Sequence, residues 1–235
     1  MQRIYVSFRQ WIAARGKESQ FVIALLIIAW LNSLLVFALT LPGLIEQVAH
    51  TRLDITVERA FMFFEWTLFL LVIVAWLLGL KRVTRAATFI YLSYVTIGLA
   101  SSVLALIATL PVRKSETGGG LFLLWDAFVI WIVNVLIFTV WYWLLDGGGS
   151  EKRIKGESRR ADFFFPQQAN KIPGWADWKP GFVDYLFLAF NTSSAFSPTD
   201  TLVLSPRAKM LSLTQAALSL VTLAMAAARA INILT

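Results

Sequence analysis

Leu121-Phe-Leu-Leu-Trp-Asp-Ala-Phe-Val-Ile-Trp-Ile-Val-Asn-Val-Leu-Ile-Phe-Thr-Val-Trp-Tyr-Trp-Leu-Leu145 decides the fold. About 20 consecutive, mostly apolar residues suffice to cross the hydrocarbon of a bilayer as a helix. This run is longer than that, and its polar interruptions are few: Asp126, Asn134, Thr139 and the amphipathic rings of Trp and Tyr. A run of this length and apolarity is a transmembrane helix.

Working outward, the same test identifies four further helices. One runs from Phe21 to about Gly43 and stops at the turn signal Leu41-Pro-Gly43. The others run from about Ala60 to Leu80, from about Ala86 to Leu110, and from about Ala208 to Leu234. The chain divides into 1–20, a basic amphipathic helix with Ile4, Phe8, Trp11 and Ile12 on one stripe; 21–145, four transmembrane helices; 146–180, a polar linker; and 181–235, the last helix and the segment before it. The expected fold class is an all-α integral membrane bundle of five transmembrane helices plus a re-entrant half-helix and loop.

Composition agrees. Of 235 residues, 58% are hydrophobic and 15% are charged, whereas a soluble domain is about 45–50% apolar and about 25% charged. The net charge of +7 does not indicate nucleic acid, because the basic residues sit beside apolar runs, where they set topology. With no Cys and a single His, His50, there is no disulfide framework, no thiolate metal site and no convincing nucleophile–base pair. The expectation is therefore no enzyme, no metal and no cofactor, with the lipid bilayer as the first partner. Residues 1–20 carry Arg3, Arg9, Arg15 and Lys17 and lack the apolar core of a cleavable signal.

Lys and Arg also predict orientation. Fourteen fall in the N-terminal segment, the loop holding Lys81, Arg82 and Arg85, and the linker; four fall in the two alternate loops, as Arg52, Arg59, Arg113 and Lys114. The N-terminus and linker are expected on the cytoplasmic side.

Gly181-Phe-Val-Asp-Tyr-Leu-Phe-Leu-Ala-Phe190 reads as an amphipathic helix too short to span. It is followed by Asn191-Thr-Ser-Ser-Ala-Phe-Ser-Pro-Thr-Asp200, nearly all polar or helix-breaking. Irregular backbone survives at membrane depth only where protein or a water-filled cavity shelters it. The pattern predicts a half-helix over 181–190 and an extended loop over 191–200 that dips in and returns, although a full crossing with six spans is the alternative.

Phe196-Ser-Pro-Thr-Asp-Thr-Leu202, Arg207-Ala-Lys209 and Ala227-Ala-Arg-Ala-Ile-Asn232, together with Trp141-Tyr-Trp-Leu-Leu-Asp-Gly-Gly148 and Asp162-Phe-Phe-Phe-Pro-Gln167, resemble a family of uncharacterised bacterial polytopic membrane proteins. That resemblance implies a bacterial inner-membrane protein. More loosely, helix 121–145, half-helix 181–190, loop 191–200 and helix 208–234 are similar to the pore module of tetrameric cation channels. In that comparison the loop replaces filter glycines with Ala195 and Ser197, and Pro198 removes a backbone donor, so a potassium-type ring of carbonyls is not implied.

The chemistry-bearing candidates follow. Thr192, Ser193, Ser194, Ala195, Phe196, Ser197, Pro198, Thr199 and Asp200 form the polar loop, whose hydroxyls and carboxylate suit a cation or polar solute; the plainer reading is a turn in which Asp200 or Ser205 caps a helix. Glu65, Asp126, Asn134 and Arg229 are the polar groups within transmembrane helices. Ionisable residues there are costly and tend to pair, so a Glu65–Arg229–Asp126 cluster is one expectation and separate snorkelling groups the other. Asp126, Ile130, Asn134, Ile137 and Trp141 share one helix stripe, read either as a cavity lining or as a packed face with one interhelical hydrogen bond from Asn134. Ser212, Ala216, Ala224 and Ala228 repeat at fours, suiting close packing within one chain or around the axis of a homo-oligomer. The functional expectation is a channel-like or transport protein using loop 191–200, with a non-transporting scaffold or partner subunit as the alternative.

Overall fold

The computed structural model describes residues 22–33, 52–108, 119–148, 160–169, 178–194 and 200–234. Seven helices occur among them: α1 (Val22–Ser33), α2 (Arg52–Leu77), α3 (Lys81–Ala108), α4 (Gly119–Leu145), the single turn α5 (Pro166–Ala169), α6 (Phe182–Ser194) and α7 (Pro206–Leu234). Four of these contain stretches long and apolar enough to cross a membrane, at Ala60–Leu77, Lys81–Ile107, Leu124–Gly148 and Pro206–Ala228. This is the frame of a helical membrane protein. Among the described residues there is one strand pair: β1 (Phe163–Phe164) pairs antiparallel with β2 (Leu202–Val203), Phe163 opposite Val203.

The apolar side chains left on the outside carry the same message. Phe61, Phe63, Leu70, Ile97, Leu104, Trp125, Leu213 and Leu220 are all exposed, an arrangement that suits lipid tails. Past Trp125 and Phe128, α4 is the exception. Apolar on every side, it lies at the centre of the bundle, packed against α3, α6 and α7. Ile130, Val133, Ile137, Phe138 and Val140 along it are fully enclosed.

Local chemistry sets the element ends. α2 stops at a Schellman motif, with Gly79 at φ 71° and the Leu80 N–H reaching back to the Ala75 carbonyl at 2.9 Å. α4 ends in a tight turn, Asp146–Gly148, where Gly147 (φ 57°) and Gly148 (φ 85°) take left-handed backbone. α6 begins with the Gly181 N–H bonded to the Asp184 carboxylate at 2.7 Å. α7 begins with Ser205 capping the Ala208 N–H at 3.2 Å and Pro206 in the first helical position. Ser205 is thus the cap, as the sequence allowed.

Cross-helix bonds fix the directions. Tyr94 donates to the Phe61 carbonyl (3.0 Å), Trp141 to Thr96 (3.0 Å) and Asn134 to Ser219 (2.6 Å). α2, α3, α4 and α7 therefore alternate up and down, and one end of the bundle collects the α2–α3 turn, the Asp146–Gly148 turn, the start of α6 and the start of α7. α6 starts at that end and stops about halfway along α4, where Trp131 donates to the Ser193 carbonyl at 3.4 Å. By Leu202 the chain is back at the first end, paired with β1.

Residues 191–194 are not loop but the last turn of α6. Thr192 bonds back to the Leu188 carbonyl (2.8 Å) and Ser194 to the Asn191 carbonyl (3.3 Å), so these hydroxyls satisfy helix backbone instead of breaking it. Residues 195–199 lie outside the described residues.

Candidate functional site

A buried polar cluster sits where α4, α6 and α7 meet, midway along α4. Gln215 of α7 is its hub. Its amide nitrogen donates to the Ala189 carbonyl (2.8 Å) and to Ser193 Oγ (2.7 Å), and its oxygen accepts the Tyr142 hydroxyl. Tyr142 also lies 3.2 Å from Ser212 Oγ. One turn away, the Asn134 amide nitrogen donates to Ser219 Oγ (2.6 Å) and to the Gln215 carbonyl (3.3 Å). Gln215, Ser219 and Thr222 are fully buried, as is Asn134. In hydrocarbon every such group must find a partner inside the protein, and all but one do. The exception is Asn134 Oδ1, buried and without a hydrogen-bond partner. An unpaired buried acceptor calls for an explanation such as a bound water or solute.

The second polar assembly closes the end of the bundle from which α6 starts. Asp146 Oδ1 accepts the backbone N–H groups of Asp162 (2.8 Å) and Phe163 (3.3 Å), while its Oδ2 accepts the Tyr185 phenol (2.6 Å). Asp162 accepts the Gly147 N–H (3.2 Å), the Ser205 hydroxyl and a two-pronged grip from Arg207, whose Nε stands 2.7 Å from Oδ1. Burial works to raise the Asp162 carboxyl, but the Arg207 and Ser205 bonds, the Arg207 charge and the Gly147 N–H outweigh it, holding the group below the usual carboxylate range. Around this latch Phe163 meets Tyr142 and Tyr185 edge-on, and Phe165 meets Tyr185 and Trp178. The linker is thereby pinned to the bundle by an aromatic plug and two carboxylates.

The candidates from the sequence distribute unevenly. Asn134 and Ser193 join the cluster, and the interhelical bond of Asn134 runs to Ser219. Thr192 and Ser194 are turned onto their own helix, Asp200 is exposed, and Ala195, Phe196, Ser197, Pro198 and Thr199 lie outside the described residues. Glu65 is bonded to Asn32 of α1 and Tyr91 of α3. Asp126 is buried on α4, and the Arg229 side chain lies outside the described part. The stripe Ile130, Asn134, Ile137 faces the core. Of the small residues on α7, Ser212 and Ala216 turn partly inward, whereas Ala224 and Ala228 face out. Among the described residues no three His, Cys, Asp or Glu are grouped to hold a metal ion.

Gln215, Tyr142, Asp146, Asp162 and Tyr185 went unnoticed as site residues. Gln215 had a usable signal, being a long amide inside a transmembrane helix. Asp146 and Asp162 lie in the two motifs, Trp141–Gly148 and Asp162–Gln167, that the structure brings together with Ser205 and Arg207.

Comparison with protein-family models, curated proteins and solved structures finds no match to this chain.

Proposed function

We propose that this chain is a bacterial inner-membrane protein of five crossing helices, α1 continuing into the first, in which 181–205 enters and leaves the membrane on one side, and that polar residues 191–200 serve passage of an ion or small polar solute. The observation that carries this reading is the end of α6 at mid-bundle, beside a buried polar cluster with an unsatisfied acceptor at Asn134 Oδ1. Broken helices that stop near the midplane are how membrane transporters expose polar groups at depth. The end of the bundle bearing Lys81, Arg82, Arg85 and the linker is the cytoplasmic one by the excess of basic residues. The outward face of α7, with Leu213, Ala217, Leu220 and Ala224 exposed, suits assembly of several copies around that helix.

One observation favours a second reading. The hydroxyls of residues 192–194 are all engaged by protein, two by their own helix and one by Gln215. On that reading the segment packs inertly and the chain is a scaffold or partner subunit.

Flux into proteoliposomes separates the two. Wild type is expected to pass a cation or small solute, and Thr192→Val/Ser194→Val/Asp200→Asn to lose that flux. Absence of flux from wild type and variant across cations and small solutes would rule out the passage reading. Topology is checked by labelling single cysteines, unambiguous in a chain without native thiols. Glu116→Cys and Asn232→Cys are expected to react from outside and Glu157→Cys from inside; cytoplasmic reaction of the Asn232 variant would mean six spans.

A further inference from the structure

We infer that the start of α3 is a binding site for an anionic phospholipid, with Arg82 and Arg85 on the headgroup phosphate and an acyl chain lying along the exposed stripe of α3 beneath them. The site stands at the end of the bundle, away from the mid-bundle cluster of α4, α6 and α7, and does not depend on the function proposed above.

Depth is the first observation. The crossing stretch of α3, Lys81–Ile107, has 27 residues, which at 1.5 Å per residue is about 40 Å. A bilayer is about 40–45 Å thick with its headgroups and about 30 Å without them, so the first turn of α3 stands in the headgroup layer. The neighbouring side chains agree. Leu78, Leu80 and Val83 are exposed around Lys81 and Arg82, a mixture that suits the boundary of a lipid layer and not open water.

Charge is the second. Lys81, Arg82 and Arg85 crowd into the opening of α3, whose first turn holds no acidic residue. A helix presents partial positive charge at this end, so cations there are unfavourable, and Lys81 and Arg85, four apart, add like-charge repulsion. Topology asks only for cations near this end of the bundle; set on the helix terminus itself, they weaken α3 until an anion sits among them. The sequence has no Asp or Glu between Glu65 and Glu116. The Asp146 and Asp162 carboxylates, at the same end, are engaged by backbone N–H groups, Tyr185, Ser205 and Arg207.

Shape is the third, and it selects a lipid over a free anion. Arg82 heads a stripe formed with Ala86, Ile90, Ser93 and Ile97, at helical spacings of four, four, three and four, and every member is exposed. Ser93 returns its hydroxyl to the Phe89 carbonyl at 2.9 Å, so the track below the arginine is in effect apolar. A cation above an apolar track complements a phosphate above an acyl chain. Arg85 is half-buried, its guanidinium 5.8 Å over the Phe89 ring, which in turn meets Trp141 edge-on. That aromatic shelf holds the second cation at a fixed depth, and a guanidinium gives paired N–H groups to phosphate oxygens.

The test counts lipid bound to the full chain by native mass spectrometry from detergent, titrating phosphatidylglycerol and, separately, phosphatidylcholine of the same chain length. Wild type is expected to bind phosphatidylglycerol more tightly. Arg82→Gln/Arg85→Gln is expected to weaken that binding about 25-fold, about fivefold for each cation facing an anionic headgroup, and to leave phosphatidylcholine unchanged. Arg82→Gln alone, at an exposed position, is expected to lose about fivefold and decides the matter if the double variant does not fold. Inorganic phosphate at the concentration of the lipid is expected not to displace it. Equal binding of the two lipids by wild type, or a preference undiminished in the variants, overturns the proposal. Displacement by inorganic phosphate overturns it too, since the site would then take a free anion.

Discussion

Arg207, in the first turn of α7, grips both carboxylate oxygens of Asp162, which stands immediately before β1 in the linker, and its remaining reach is to the Leu145 carbonyl at 3.5 Å. One side chain thus ties three segments together: the end of α4, the linker and the start of α7. The pair is lopsided. Asp162 is 1% exposed and the Arg207 side chain 54%, so its two members respond differently to substitution.

Arg207→Ala leaves a buried carboxylate with only Ser205 and the Gly147 N–H. A loss of about 1–3 kcal/mol is expected, below the figure for a fully buried pair because water screens the arginine. Arg207→Lys is expected to recover less than half, since an ammonium cannot make the two-pronged contact. Unfolding in detergent measures both. A lysine variant as stable as wild type would show that charge alone suffices.

Acid should weaken the same latch. Because Asp162 titrates below its usual value in the folded protein, the stability it contributes is complete above the unfolded value of about 4 and is lost as the pH falls through the lower, folded value. Asp162→Asn is expected to be less stable than wild type at neutral pH and flatter against pH below about 4. Parallel acid-unfolding curves for the two proteins would rule this out.

In the mid-bundle cluster the number of satisfied partners sets the cost. Gln215→Leu takes from the Tyr142 hydroxyl its short acceptor, leaving it Ser212, and takes from the Ala189 carbonyl and Ser193 Oγ their shared amide donor, for an expected loss of about 1–3 kcal/mol. Asn134→Leu removes an already unpaired oxygen and one strong bond to Ser219, which can turn back to its own helix. The expected change is smaller, about 0.6 kcal/mol. The reverse ranking in unfolding measurements would refute the assignment of Gln215 as hub.

Two glycines are expected to differ in sign. Gly147 has left-handed backbone at φ 57°, and Gly147→Ala is expected to cost about 1–2 kcal/mol. Gly98 sits inside α3 with open space where a Cβ would go, and Gly98→Ala is expected to stabilise by about 0.5–1 kcal/mol. Equal effects in thermal unfolding would contradict the backbone assignment at Gly147.

Much of the fold was legible because the bilayer imposes a one-dimensional rule. Apolar length alone located α2, α3, α4 and α7, and Ser205 stood out as one of two candidate caps. The cluster was half legible. Asn134 stood out as a lone amide in an apolar run, but nothing local distinguishes the Tyr142 that meets Gln215 from the other rings of α4. Residues 191–194 misled because Ser and Thr look like loop in sequence, whereas in α6 their hydroxyls return to carbonyls three and four residues back.

What this sequence determined unaided is which stretches are helical and apolar enough for a membrane, since that depends on each residue's own transfer energy and on its near neighbours. Which polar groups meet was decided only by the tertiary structure. Asp162 finds Arg207 across 45 positions and Asn134 finds Ser219 across 85, and such pairings follow from how helices stack, which no window along the chain contains.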